Sequence, residues 1–338
     1  TRELGAFGAD LAALSGFFDP PWRHPVNDLR KDTEATLLSL AGFRLRALGR
    51  LAEAAQPMQA ALEAQIAQKN WEDAARDAGN LSELHLTLGE LAQALAYAEQ
   101  SVALADRSGD AFMRLVNRAI LADALHQAGR VEEAEPLFRE AEAMQEEWQP
   151  GFPLLYSLQG YRYCDLLLGR GRAGEVLERA QQTLEWAKQY GLSPLTVALD
   201  HLSLGRAHLL QAQRASEVSR DFGSLEQATR HLNRAVDGLR QAGHQWVLPR
   251  GLLALAALHR AQGHYAESQR DLEEALAIAT RGGMRLHEAD CHLEQARLHL
   301  ACGEQQESRE HLDEARTMIE DTGYHRRDDE LAALEEQL

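Results

Sequence analysis

Two histidines and a glutamate are the sequence's nearest approach to a metal site. His287, Glu288 and His292 follow the spacing HExxxH. On a helix, side chains five residues apart point about 140° apart, so these two histidines cannot both coordinate one metal ion. Histidine also recurs in one column of the repeats described below, at His85, His208, His259 and His299. We expect hydrogen-bonded structural histidines in both cases, and we predict neither a metal ion nor any other cofactor.

The chain also lacks the short motifs that accompany catalysis. It contains no Gly-Lys dipeptide, which a phosphate-binding loop requires. It contains no GxSxG turn that would expose a nucleophilic serine. Paired carboxylates such as Glu132-Glu133 are frequent, but on exposed helices such pairs are most often solvated surface. We therefore predict that these residues form no enzyme active site.

Charged side chains that could hold a charged partner are the remaining candidates. Arginine suits this role because its planar fork binds a carboxylate through two hydrogen bonds. The candidate binding residues are Arg76, Asn80, Glu83, Asp123, Tyr161, Arg162, Asp165, Arg206, Arg250, Arg260, Asp290, Glu294 and Arg297. For any one of these residues, ordinary solvated surface is an equally open interpretation.

A regular spacing of glycines indicates the elements that would position these side chains. Glycine ends a helix in the left-handed conformation without steric cost. One set is spaced by 40, 40, 42, 52, 40 and 40 residues: Gly49, Gly89, Gly129, Gly171, Gly223, Gly263 and Gly303. A second set follows five of these by 20 residues: Gly109, Gly191, Gly243, Gly283 and Gly323. The spacing predicts seven hairpins, each made of two helices of roughly 16 residues.

Small residues at fixed distances from these glycines indicate close contacts between helices. Five residues after the first set stand Ala54, Ala94, Ala134, Val176, Ala228, Ser268 and Ser308. Twelve residues after it stand Ala61, Ser101, Ala141, Thr183, Ala235, Ala275 and Ala315. In the sixth repeat the register reads GHYAESQRDLEEA from Gly263 to Ala275, and it resembles the tetratricopeptide repeat. The resemblance covers residues 32–324, with a period of 40 rather than the family's usual length of about 34.

The resemblance implies an all-α fold, an α-α solenoid in the form of a right-handed superhelix of about seven hairpins. Residues 1–31 are expected to form an N-terminal cap or linker helix and a Pro-rich turn, residues 32–324 the repeats, and residues 325–338 a C-terminal capping helix. In this family the first helix of each hairpin lines the concave face, so the candidate residues are expected there. We expect recognition to centre on repeats three to five, because the fourth is irregular and the fifth carries an insertion near Gln211–Asp221.

Long-period arrays of this kind resemble the C-terminal sensor of bacterial STAND signal-transduction ATPases. Two flanks carry that likeness: LGAFGADLAALSGFFDPPW (Leu4–Trp22), and GGMRLHEADCHLEQARLHL with TGYHRRDDEL (Gly282–Leu331). The resemblance implies a sensor of a protein or peptide ligand, or of a small-molecule inducer, with an ATPase module elsewhere in the parent chain. Its role would be transcription regulation or antiphage defence. The rival interpretation is a free-standing tetratricopeptide scaffold or adaptor without a switch.

Composition narrows the classes of partner. The net charge of −17 disfavours phosphate backbones, so no nucleic-acid partner is expected. No stretch approaches a membrane span of about 18 apolar residues, so no membrane partner is expected. Cys164, Cys291 and Cys302 are expected to be small buried side chains in a reducing, cytoplasmic compartment. Because the chain begins at Thr1 rather than Met, we expect a piece of a longer protein.

Overall fold

A computed structural model describes residues 7–23, 25–26, 29–214 and 222–338. Within these ranges the chain forms helices and no β-strand, apart from an isolated bridge between Phe18 and Pro25. The helices are α1 (Phe7–Ser15), α2 (Lys31–Ala47), α3 (Leu51–Ala67), α4 (Trp71–Leu88), α5 (Leu91–Ser108), α6 (Ala111–Gln127), α7 (Val131–Trp148), α8 (Ser157–Gly169), α9 (Ala173–Gln189), α10 (Pro194–Arg214), α11 (Phe222–Ala242), α12 (Leu248–Ala261), α13 (Tyr265–Gly282), α14 (Arg285–Cys302), α15 (Gln305–Thr322) and α16 (Asp328–Glu335).

Helices α2 to α15 pair into seven hairpins, with α1 before them and α16 after them. A single 3-10 turn, His325–Arg327, leads into α16. The all-α solenoid of hairpins predicted from the sequence is therefore confirmed. Among the helices described, none is long and apolar enough to span a bilayer.

Glycines end these helices largely as their spacing predicts. Gly89 follows α4 with a φ of 81°, and Gly303 follows α14 with a φ of 80°. Gly223 departs from this pattern because it is the second residue of α11, so the prediction that it ends a helix is wrong. The insertion in this repeat explains the error, since extra residues remove the fixed distance between the glycine and the helix end. Of that insertion, residues 211–214 continue α10, and residues 215–221 lie outside the described ranges.

Small side chains form the seams between neighbouring helices. Ala94, Ala134 and Ala275 have no exposed surface. On α10, Gly205 packs so closely on α11 that an added Cβ would lie 2.6 Å from the side chain of Leu232. Small residues therefore let the helix axes approach, while leucines fill the space between them. The register inferred from the small residues is confirmed at these positions.

The chain divides into two compact units, Thr1–Pro153 and Leu154–Leu338, which we call the N-terminal unit and the C-terminal unit. In both units the first helix of one hairpin packs on the first helix of the next, as α4 does on α6 and α12 does on α14. We call the side of a unit lined by its first helices the first-helix face. In the C-terminal unit this face is formed by α8, α10, α12 and α14. The division falls before the irregular fourth repeat, whose first helix has only 13 residues.

The three cysteines lie in different environments. Cys164 and Cys291 are buried, and burial raises the pKa of the Cys164 thiol to about 12. Cys302 is exposed, so the prediction of burial is wrong for this residue. It is the last residue of α14 and is followed by Gly303, which ends the helix.

Candidate binding surface

The candidate residues of the N-terminal unit form contacts between helices and within them. Glu83 of α4 is buried and accepts a hydrogen bond from Arg46 of α2. Arg46 also donates to the backbone carbonyl of Asn80 at 3.3 Å. Asp123 of α6 is buried and accepts a hydrogen bond from Gln127 at 2.8 Å. These three candidates are therefore engaged in contacts within the unit.

Arg76 and its neighbour Asp77 lie in contrasting environments on α4. Arg76 is exposed and pairs with Glu72 and Asp73 of its own helix, an arrangement that contributes little to stability. Asp77 was not predicted as a site residue, yet it is buried and accepts a hydrogen bond from the Ser39 hydroxyl of α2 at 2.8 Å. Burial raises the pKa of Asp77 to about 7. The first-helix face of this unit therefore holds a carboxyl group that titrates near neutral pH.

Asp165 of α8 is the centre of a charged cluster in the C-terminal unit. Its side chain is 5% exposed and accepts hydrogen bonds from Arg326 Nη1 at 2.5 Å and Nη2 at 2.9 Å. Arg206 of α10 lies 2.7 Å from the same carboxylate and donates to the Tyr161 hydroxyl at 3.3 Å. The guanidinium of Arg250, from α12, lies 5.6 Å from the centre of the Tyr161 ring. Four candidate residues from three first helices therefore converge at one place.

Asp290 of α14 is the centre of a second cluster. Arg327 Nε donates to it at 2.8 Å, and the Tyr324 hydroxyl lies 3.2 Å from each of its carboxylate oxygens. The guanidinium of Arg327 also lies 5.6 Å from the centre of the Tyr324 ring and pairs with Glu330 of α16. The stretch between α15 and α16 therefore supplies the donors for this carboxylate.

Glu294 connects α12 to α14. It is buried and accepts hydrogen bonds from Arg260 at 2.7 Å and from Arg297 at 3.1 Å. Arg297 in turn pairs with Glu330, which also binds Arg327. The predicted residues of repeats six and seven thus form a continuous series of alternating charges with the C-terminal stretch.

Attraction within these clusters outweighs the cost of burying the charges. Burial alone would lower the pKa of the Arg326 guanidinium, but the charge of Asp165 raises that pKa above its usual value. Burial alone would raise the pKa of Glu330, but the charges of Arg327 and Arg297 hold that pKa well below its usual range. Arg326 and Glu330 are therefore charged at neutral pH, and removal of either would leave its partner as a desolvated charge.

Several residues of this surface were not predicted as site residues. Tyr324, Arg326 and Arg327 belong to the TGYHRRDDEL stretch, for which the sequence predicts only a cap and a family flank. Two adjacent arginines in a chain with a net charge of −17 are a signal of charge complementarity. Arg326 and its partner Asp165 are 161 residues apart, so the pairing follows from the curvature of the array and not from local sequence.

Arg162, which was predicted, is buried within α8, so its replacement would change stability as well as binding.

The histidines form hydrogen bonds, as a structural role requires. Three members of the repeated column contact an acid at 2.5 to 2.7 Å: His85 with Glu90, His259 with Asp271, and His299 with Glu304. In the HExxxH stretch, a ring nitrogen of His287 lies 3.2 Å from the Trp246 carbonyl, and burial lowers the pKa of His287 to about 4. Across the described ranges, no group of three or more His, Cys, Asp or Glu side chains is arranged to hold a metal ion.

Comparisons with known proteins place these features among repeat proteins. Residues 252–281 match the tetratricopeptide repeat family, and residues 64–128 match the family of anaphase-promoting complex subunit 5. No curated protein matches the chain in sequence. The fold is similar to that in the crystal structure of a Rap protein complexed with competence and sporulation factor. That match has a TM-score of 0.68 and 10% sequence identity, and it covers 94% of this chain and 81% of that chain. The repeat match and the shared fold support a tetratricopeptide array and protein–protein interaction as its general class of function.

Proposed function

We propose that the chain is a non-catalytic recognition module that binds a protein or peptide ligand on the first-helix face of its C-terminal unit. The observation that carries this proposal is the convergence of acids and arginines on this face: Asp165 pairs with Arg206 of α10, Glu294 with Arg260 of α12, and Asp290 with Arg327 of the stretch before α16. Charge-assisted hydrogen bonds of this kind give a surface both affinity and a preferred geometry. The similar fold of a Rap protein complexed with competence and sporulation factor adds support, because that protein binds a partner on the same architecture.

More specifically, we propose that the chain is the ligand-sensing arm of a bacterial STAND-type ATPase in the cytoplasm. The support is the repeat period of 40 and the two flanking stretches, Leu4–Trp22 and Gly282–Leu331. The ATPase module would then lie elsewhere in the parent chain. The output would be transcription regulation or antiphage defence, and the trigger a protein, a peptide or a small-molecule inducer.

In such a sensor, the ligand drives a switch only if it binds the active state more tightly than the inhibited state. On a face built from ion pairs, a ligand that takes the place of some of these pairs in only one of the two states binds that state more tightly. The nucleotide module would then exchange its nucleotide and the protein would assemble. Neither nucleic acid nor a membrane is part of this proposal, since the net charge of −17 disfavours anionic partners.

The second candidate function is a free-standing scaffold that holds two partners without a switch. The division into two compact units favours it, because each unit presents a first-helix face of its own. The region upstream of Thr1 in the gene distinguishes the two functions. A phosphate-binding motif followed by a winged-helix pattern supports the sensor, and a start codon close to Thr1 supports the scaffold.

The recognition face itself is tested by titration of a captured partner against substituted chains. Arg206→Ala removes a contact to Asp165, and we expect it to weaken binding by about tenfold or more. Glu132→Lys, on the second helix α7, is the control and should leave binding unchanged. If only the control weakens binding, the ligand binds the second-helix side, and the proposed face is wrong.

A further inference from the structure

The first-helix face of the C-terminal unit already holds part of its own chain. We call Tyr324–Glu330 the C-terminal segment. Its Arg326 reaches α8 in the fourth repeat, and its Arg327 reaches α14 in the seventh. Repeats of a solenoid ordinarily contact only their neighbours. Helix α16 continues the stack by packing on α14 and α15, whereas the side chain of Arg326 reaches across the face to a residue 161 positions earlier in the chain.

The segment binds in the manner of a peptide ligand. Arg326 presents its planar fork to Asp165 through two hydrogen bonds, of 2.5 and 2.9 Å. Arg327 and the Tyr324 hydroxyl both donate to Asp290. Loss of the segment would leave the largely buried Asp165 paired with Arg206 and would remove the Arg327 and Tyr324 donors from Asp290, and the loss of donors from a desolvated carboxylate is costly. Whatever displaces the segment must therefore bring equivalent donors.

The anchoring of the segment favours exchange. Helix α16 buries only one side chain, Leu334, so the apolar contribution beyond Tyr324 is small. Tyr324 adds a buried ring and a hydrogen bond to Asp290, and the remaining contacts of the segment are ion pairs, whose attraction is offset in part by the cost of desolvation. A ligand that forms the same ion pairs would displace the segment with little net change in free energy. The fraction of chains with a displaced segment would then rise with the ligand concentration.

We propose that the C-terminal segment is a built-in competitor for a peptide bearing adjacent arginines, which binds Asp165 and Asp290 in its place. This inference rests on the proposed function for the location of the site, and it adds the chemical class of the ligand. Arginine is required rather than lysine, because Asp165 receives two hydrogen bonds from one planar fork. Binding of the peptide would release α16, which gives the ligand a differential contact with two states of the chain.

The test measures binding of a fluorescent synthetic peptide, TGYHRRDDEL, to the full chain. In the variant Arg326→Ala/Arg327→Ala the internal competitor is weakened. If the segment occupies the face about nine-tenths of the time, this variant binds the peptide about tenfold more tightly than the unsubstituted chain. The control Arg270→Ala/Arg281→Ala removes two exposed arginines from α13 and should bind as the unsubstituted chain does.

Two comparisons establish where the peptide binds and what it must carry. Adding Asp165→Asn and Asp290→Asn to the Arg326→Ala/Arg327→Ala variant should abolish the gain in affinity. The same peptide with both arginines replaced by lysine should bind about tenfold more weakly. Equal binding of the arginine and lysine peptides, or no binding to the weakened variant, would overturn the proposal.

A second measurement needs no substitution, in case the variant fails to fold. Hydrogen exchange of residues 324–335 in the unsubstituted chain should accelerate severalfold when the arginine peptide is added in excess. Unchanged exchange under those conditions also overturns the proposal. Either negative result leaves the wider proposed function standing, because a captured partner that loses affinity with Arg206→Ala would still show recognition on this face.

Discussion

At the scale of single residues, burial decides how much an ion pair matters. Arg230 and Glu226 pair on α11 with side chains 49% and 76% exposed, and such pairs contribute almost nothing to stability. Asp165 is 5% exposed and lies between Arg206 and Arg326. Without its charge, the two guanidiniums would repel each other with no anion between them.

We therefore expect Asp165→Asn to lower the free energy of unfolding by about 3 kcal/mol. The control Glu226→Gln should change it by less than about 0.5 kcal/mol, because its partner remains in water. Urea titration of both variants measures the difference. A loss for Asp165→Asn no larger than that of the control would mean that the cluster does not exist in solution.

Asp77 provides a pH-dependent prediction. Its pKa in the folded chain is about 7, above the ordinary value of 3.8, chiefly because of burial, with the nearby charge of Asp73 adding to the rise. Between those two values the folded chain holds a proton that the unfolded chain has released, so this group destabilises the fold increasingly as pH rises. In Asp77→Asn that dependence is absent.

Relative to the unsubstituted chain, Asp77→Asn should gain on the order of 2–3 kcal/mol in unfolding free energy between about pH 5 and pH 8. The Ser39 hydroxyl can still donate to the amide oxygen, so the substitution retains the hydrogen bond of this site. Urea titrations at both pH values provide the measurement. Asp237→Asn, on an exposed position of α11, should show the same small difference at each pH. If the difference in unfolding free energy between Asp77→Asn and the unsubstituted chain is the same at both pH values, the buried Asp77 does not hold a proton in the folded chain.

At the scale of helices, the small residues set how closely neighbouring helices pack. Ala275 of α13 has no exposed surface, so Ala275→Leu would force several methylene groups into a packed seam. We expect a loss of about 1–3 kcal/mol in unfolding free energy and a lower melting midpoint. Ala266→Leu, on an exposed position of the same helix, is the matched control and should have little effect. An unchanged melting midpoint for Ala275→Leu would mean that the register of the sixth repeat is wrong.

The helices were predictable because their signals are local. A glycine such as Gly89 marks a helix end through its own backbone conformation, and an alanine such as Ala134 marks a seam through its own size. The prediction for Gly223 was wrong because an insertion changed the distance between this glycine and the end of the preceding helix. The candidate face was predictable in part, since Asp165, Arg206 and Glu294 lie on first helices and pair within the C-terminal unit.

What could not be predicted is the contact of Arg326 with Asp165. It depends on how far the C-terminal unit curves over four repeats, and small rotations at each repeat add up to that curvature. Similarly, nothing local distinguishes Asp77 from the partly exposed Asp73 four residues earlier. Its burial follows from the approach of α2, which brings Ser39 within 2.8 Å.

At the scale of the whole molecule, each of the two units is built of helical hairpins, and the charged clusters of the first helices are the main candidates for function. We predict that the purified chain is overwhelmingly helical by circular dichroism and does not hydrolyse ATP. The prediction about ATP rests on the absence of a Gly-Lys dipeptide anywhere in the sequence, since a phosphate-binding loop requires one. An ATPase rate that persists through stringent purification would contradict the proposal that these residues are non-catalytic.

The central claim is that ligands bind the first-helix face of the C-terminal unit, and a hydrogen-exchange footprint tests it most directly. The measurement compares the Arg326→Ala/Arg327→Ala chain with and without the arginine peptide at saturating concentration. We expect slower exchange in α8, α10 and α14, which carry Asp165, Arg206 and Asp290. Protection confined to the second helices α9, α11 and α13, or to the N-terminal unit, would contradict this claim.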